Sequence, residues 1–109
     1  MAGLAALSSC AWPTHNRATL SAIRAESKTL MVEFPTKNYV SIPKEEWPRV
    51  IASLKPYNVT VFSYGVDIMT KPYFDGGYGY LVPKDNAKPP EPIGRFSYLD
   101  QGVYWYHPY

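Results

Sequence analysis

Prolines and glycines interrupt this chain so often that its regular elements are expected to be short: eleven prolines and seven glycines stand among 109 residues. Proline removes a backbone donor and blocks a helix interior, and glycine raises the entropy cost of order. Such punctuation predicts many turns, and so a β-rich or α+β fold rather than an all-α one. Hydrophobic residues make up 46% and charged residues 18%, a globular balance, and the length supports one modest core.

Read in order, the segments alternate between helix and strand signals. Thr14 or Asn16 can cap a helix running to about Lys28, with a weak apolar stripe at Ala18, Leu20, Ile23 and Ala25. Thr29 to Phe34 is rich in strand formers, and Pro35-Thr36-Lys37-Asn38 is a turn cluster before Tyr39 to Ile42, so a hairpin is expected there. Residues 45–54 carry a clear helical spacing, with Trp47, Val50, Ile51 and Leu54 on one face and Pro56 as the stop. That face is expected to pack against Leu30, Val32, Val59 and Val61. Residues 59–70 read as one strand with a bulge or bend at Gly65. After a loop closed by Asp75-Gly76-Gly77, Tyr78 to Pro83 returns as its hairpin partner. The polar, proline-rich stretch from Lys84 to Pro92 reads as an extended loop. Two short strands follow, at about 94–99 and 102–106. The reading is a small single α+β domain over residues 14–109: an antiparallel sheet of about four to six strands with one or two helices packed on it.

Motifs for chemistry are sparse. The run Asp75-Gly76-Gly77-Tyr78-Gly79-Tyr80 lacks the Lys-Ser/Thr ending of a phosphate loop and precedes no helix, so it reads as a hairpin turn. Too few carboxylates alternate for a calcium loop. The single cysteine, Cys10, cannot form an internal disulfide or a zinc site, and the two histidines, His15 and His107, sit near opposite ends of the chain. Neither histidine is expected to have the support a general base needs. No catalytic residue, metal or cofactor is therefore expected. Net charge is +2 with Lys and Arg scattered singly, which argues against nucleic acid as a partner. No apolar run approaches the roughly 20 residues of a transmembrane helix.

Aromatic residues are plentiful instead. Nine of the ten tyrosines lie from Tyr57 onward. A core of this size is not expected to hide all of Tyr73, Phe74, Tyr78, Tyr80, Tyr98, Tyr104, Trp105 and Tyr106. Strand alternation puts Tyr104 and Tyr106 on one face and Trp105 on the other. The candidate binding surface is Tyr73 and Phe74 in the loop with Tyr104, Tyr106 and Tyr109 at the tail, because tyrosine joins a large apolar body to one polar handle.

At the N-terminus, Leu7-Ser8-Ser9-Cys10 resembles the lipobox of bacterial lipoproteins: an aliphatic residue, two small residues and the cysteine that takes the lipid. That resemblance implies lipidation of Cys10, an anchor segment over residues 1–13, and a periplasm-facing place on the bacterial cell envelope membrane. The same residues also fit an Ala-rich helix with Cys10 as a small buried hydrophobe, or an acid-free organelle targeting segment. Taken together, the residues suggest a non-catalytic, lipid-anchored protein that binds another protein. A periplasmic inhibitor or immunity-type protein and an accessory subunit of a large complex are the alternatives.

Overall fold

The computed structural model describes residues 12–73, 76–84 and 95–108. Helix α1 spans Arg17–Glu33 and α2 spans Arg49–Ser53, with a short 3-10 turn at Lys44–Glu46 before it. The strands are β1 (Tyr39–Ser41), β2 (Asn58–Phe62), β3 (Gly65–Tyr73), β4 (Gly76–Pro83), β5 (Phe96–Asp100) and β6 (Val103–Tyr106). They form one six-stranded antiparallel sheet in the order β1-β2-β3-β4-β6-β5. Both helices pack on one face, and the fold is a single α+β domain. No helix of the described residues is long and apolar enough to cross a membrane.

Helix α1 begins where expected. The Asn16 side chain accepts a hydrogen bond from the Thr19 backbone N–H at 2.9 Å, which satisfies one of the free amides of the first turn. It runs on past the expected end, however, and Thr29 to Glu33 are helical rather than a strand. Leu20, Ile23, Ser27 and Leu30 fall on one stripe and are all buried, so helical burial of Leu30 outweighs the strand preference of its neighbours. Val32 points away from the core and is 78% exposed, against the expectation that it joins the core. Pro35 stops the helix by forcing Phe34 out of helical geometry. With no strand at 29–34, the expected hairpin is absent, and β1 pairs with β2.

The expected helix at 45–54 is also corrected. Pro48 pushes Trp47 into extended geometry and is itself extended, so the α-helical part starts only at Arg49. Its apolar residues still converge on the core: Ile51 is fully buried, with Trp47, Val50 and Leu54 packed around it. The Trp47 indole N–H donates to the Ile42 carbonyl at 2.9 Å.

A five-residue helix has no independent stability, and Pro48 offers no side-chain cap. The cap comes from α1: the Glu26 carboxylate accepts from the backbone N–H groups of Val50 and Ile51 at 3.0 and 2.9 Å.

Residues 59–70 are not one strand. Phe62 and Gly65 are register partners, so the chain reverses through Ser63 and Tyr64 into an extra hairpin. A Cβ on Gly65 would lie 2.4 Å from the Val82 carbonyl oxygen, so this glycine permits close strand approach rather than a bend. The last hairpin falls near its expected place, with β5 beginning at Phe96. Its Gln101 and Gly102 both have positive φ, the signature of a type I′ turn.

The core lies between α1 and one sheet face. Val59, Val61, Val66, Ile68, Tyr80, Val82, Val103 and Trp105 meet Leu20, Ile23, Leu30 and Ile51 there. Among the described residues the Ser27 hydroxyl is the one buried side-chain polar atom without a hydrogen-bond partner. The expected behaviour of the inter-helix cap is specific. Glu26→Ala should lower stability by about 2 kcal/mol in denaturant unfolding, with Glu26→Gln intermediate, because two amides lose a charged acceptor. A loss below half a kcal/mol would show that water replaces the carboxylate at no cost.

Candidate functional site

The helices cover one face of the sheet, and among the described residues no helix covers the other. Alternation along the strands decides what stands on that open face. Cross-strand partners give its rows: Tyr39 beside Phe62, then Thr60, Asp67, Leu81, Tyr104 and Tyr98 across the middle, then Met69, Gly79, Tyr106 and Phe96. Its rings pack against one another. Phe62 and Tyr64 stack at 5.0 Å, while Tyr98 with Tyr104 and Phe96 with Tyr106 meet edge to face at 5.1 and 6.1 Å.

At the centre of this face lies one ionisable acid. The Tyr106 hydroxyl donates to Asp67 Oδ1 at 2.6 Å. To reach β3 from β6 the Tyr106 side chain must cross β4, and it does so over Gly79. A Cβ there would come within 2.7 Å of the Tyr106 hydroxyl oxygen, so only glycine lets the ring lie down on the strand. Gly77 makes the same room for the Met69 thioether. The result is a shallow groove of about 220 Å³. Met69, Gly76, Gly77 and Phe96 line it, with Asp67 and Tyr106 among its polar groups and Arg95 and His107 beside them. The Arg95 guanidinium lies beside Gly76.

The electrostatics are unusual for an open sheet face. Burial pushes the Asp67 carboxyl up to about 6 from its ordinary 3.8, and the Tyr106 hydrogen bond opposes part of that rise. Burial, the Asp67 charge and the hydrogen bond donated to it together push the Tyr106 hydroxyl upward. Tyr64 is pushed up as well, by burial first and then by the Asp67 charge. The Arg17–Asp100 pair at 3.1 Å is elsewhere.

A raised carboxyl pKa makes a definite statement about stability. The folded state holds the Asp67 proton more tightly than the unfolded chain does. Its contribution is therefore fully present below about pH 4 and is lost as pH rises through about 6. The full swing is on the order of 3 kcal/mol.

The aromatic residues expected from the sequence to form one surface are divided by the fold. Tyr104 and Tyr106 are on the open face, half-buried. Tyr73 is exposed but meets Tyr78 edge to face at 6.3 Å, and Tyr78 packs on Trp105, so Tyr73 belongs to the helix-bearing side. Phe74 and Tyr109 lie outside the described residues, as do Cys10 and the proline-rich stretch beyond Lys84. Tyr80 and Trp105 are core residues at 5.1 Å from one another. Sequence reasoning missed Tyr39, Phe62, Tyr64, Met69 and Asp67. The alternation of Thr60, Phe62 and Tyr64 opposite the valines was the available signal for two of them; nothing local singles out Asp67.

A wider hollow beside Lys44, Trp47 and Lys55 is on the helix side. Its one indole N–H is already used by Ile42, and no buried charge faces it. No protein-family model, curated protein or solved structure matches this chain.

The pH dependence can be measured directly. Asp67→Asn keeps an acceptor for Tyr106 and removes the charge. At pH 7.5 it should stabilise the fold by about 1–3 kcal/mol and flatten the stability profile between pH 4 and 6. Destabilisation at pH 7.5 would show that the fold compensates the charge.

Proposed function

We propose that this protein is a non-catalytic binding module that docks another protein on the open aromatic face of its sheet. One observation carries this reading: among the described residues the two helices cover a single face, and the opposite face is faced with rings rather than with ordinary charged residues. Tyr39 and Tyr98 there are 66% and 59% exposed. Exposed aromatic faces with a polar handle are the usual material of protein interfaces, where tyrosine gives contact area at low entropy cost. Asp67 supports the same reading, because a carboxyl whose pKa is raised by burial within a groove is a functional-site candidate. The Tyr106 hydroxyl fixes its orientation.

The lipobox-like Leu7-Ser8-Ser9-Cys10 supports a membrane anchor at the bacterial cell envelope, with the domain facing the periplasm. A binding module held at a surface by a lipid meets its partner in two dimensions, which raises effective concentration without a new contact.

Two measurements separate these parts. A photo-crosslinking amino acid at Tyr39 or Tyr98, in living bacteria, should give one discrete protein adduct, while the same group at Val32 on the far side should give none. Equal yields from both sides would remove the docking face. For the anchor, cells fed an alkyne-tagged fatty acid should label the protein, and Cys10→Ala should abolish the label. Persistent labelling of that variant would place the lipid elsewhere.

A further inference from the structure

We infer that the hollow on the helix side is a second binding site, separate from the open face, and that it takes a small organic carboxylate with a flat apolar body. The hollow holds about 460 Å³, within the usual range for small-molecule pockets, and Lys44, Trp47, Ala52, Lys55 and Pro56 line it. Its two halves differ in chemistry. Pro56 is buried and Trp47 and Ala52 are half-buried, so the floor is apolar and includes one indole ring. Lys44 and Lys55 are exposed at the rim. Neither ammonium has an ion pair among the described residues. No acid is among the described residues that line the hollow; Glu45 and Glu46 follow Lys44 on the same turn but stand outside the lining.

The donors still available decide which anion fits. A phosphate cradle needs several backbone N–H groups turned towards the ligand. Here the N–H groups of Trp47, Ala52 and Lys55 donate to the carbonyls of Lys44, Pro48 and Ala52 at 3.1, 2.8 and 3.0 Å. Pro56 has no N–H, and the Trp47 indole N–H donates to Ile42. The polar handles of the hollow are therefore its two ammonium groups. Two point charges at an exposed rim hold a bare ion weakly against water, so the apolar floor must supply the rest of the affinity. A planar ring laid on Trp47 and Pro56 does so. A cation is repelled by the lysines, and a neutral ring leaves both ammonium groups unused. The end of α2 places one of the two charges. Lys55 follows the Leu54 cap with a φ of 53°, the left-handed position that glycine commonly fills, so a side chain stands where such a helix end often has none.

The test uses the full chain with isotope-labelled tryptophan, titrated by NMR with cinnamate. The Trp47 indole N–H resonance, assigned by its loss in Trp47→Phe, should shift saturably with a midpoint on the order of 5 mM. The resonance of Trp105, in the core, should stay still. Cinnamamide, uncharged and matched in shape, should bind about tenfold more weakly. Cinnamylammonium, acetate and inorganic phosphate should give no saturable shift. Lys44→Gln and Lys55→Gln should each weaken cinnamate binding about threefold, and the double variant about tenfold. Lys55→Gly should raise the melting temperature by relieving the left-handed backbone, yet still weaken cinnamate about threefold. Changing both lysines to glutamate should transfer the preference to cinnamylammonium. Equal binding of cinnamamide, undiminished binding by the double variant, or no saturation by about 50 mM would overturn the inference. Phosphate bound as tightly as cinnamate would overturn the requirement for an apolar body and leave an adventitious ion only. The result is separable from the docking reading, because the hollow lies across the sheet from Tyr39 and Tyr98.

Discussion

The packing of one helix against one side of one sheet is the contact on which the rest of this structure depends. Helix α1 buries Leu20, Ile23 and Leu30 completely. Full burial of three such side chains contributes roughly 5–9 kcal/mol before entropy is subtracted, which is comparable with the whole net stability of a domain this size. Among the described residues there is one long helix, and it covers one face. The sidedness of the sheet follows, and with it the possibility of an exposed aromatic surface.

That same helix organises what the local sequence leaves unstable. Helix α2 is too short to persist without help and begins at a proline that cannot cap it. Glu26 reaches across from α1 and supplies both hydrogen bonds to its first turn. The cap and the apolar contact of Ile51 act together, one fixing the helix end and the other burying its face. Arg17, also on α1, meets Asp100 at 3.1 Å near the β5–β6 turn, although so exposed a pair contributes less than about 1 kcal/mol.

On the uncovered side a different economy operates. Gly77 and Gly79 have no side chains to stand up from β4, so Met69 and Tyr106 lie across it. The Tyr106 hydroxyl then meets Asp67 from two strands away. That hydroxyl donates to the carboxylate, and burial works against its charge. The groove is thus a place where stability has been given up, while the opposite face, lined by valine, isoleucine and leucine, is where it is gained. This division between a stabilising face and the proposed docking face is what a sheet covered on one side makes available.

Much of the architecture was legible in the residues themselves. Proline and glycine punctuation pointed to short elements, strand alternation separated Val59 and Val61 from Thr60 and Phe62, and Asn16 marked a helix start by its chemistry. These signals are local, so a sequence carries them whole. The tertiary structure decided the rest. Thr29 to Glu33 became helix because Leu30 completes a buried stripe, a fact that exists only once the sheet is present. The reversal at Ser63 and Tyr64 was hidden because both of its arms are strand-like. The site was least legible of all: Asp67 and Tyr106 are 39 positions apart in the chain, and their contact depends on the register that sets Tyr106 opposite Gly79. Composition by itself determined that this chain would have more aromatic surface than it could bury. Which rings went inside, and which acid they came to surround, was decided by strand pairing, because pairing alone brings distant residues onto a common face.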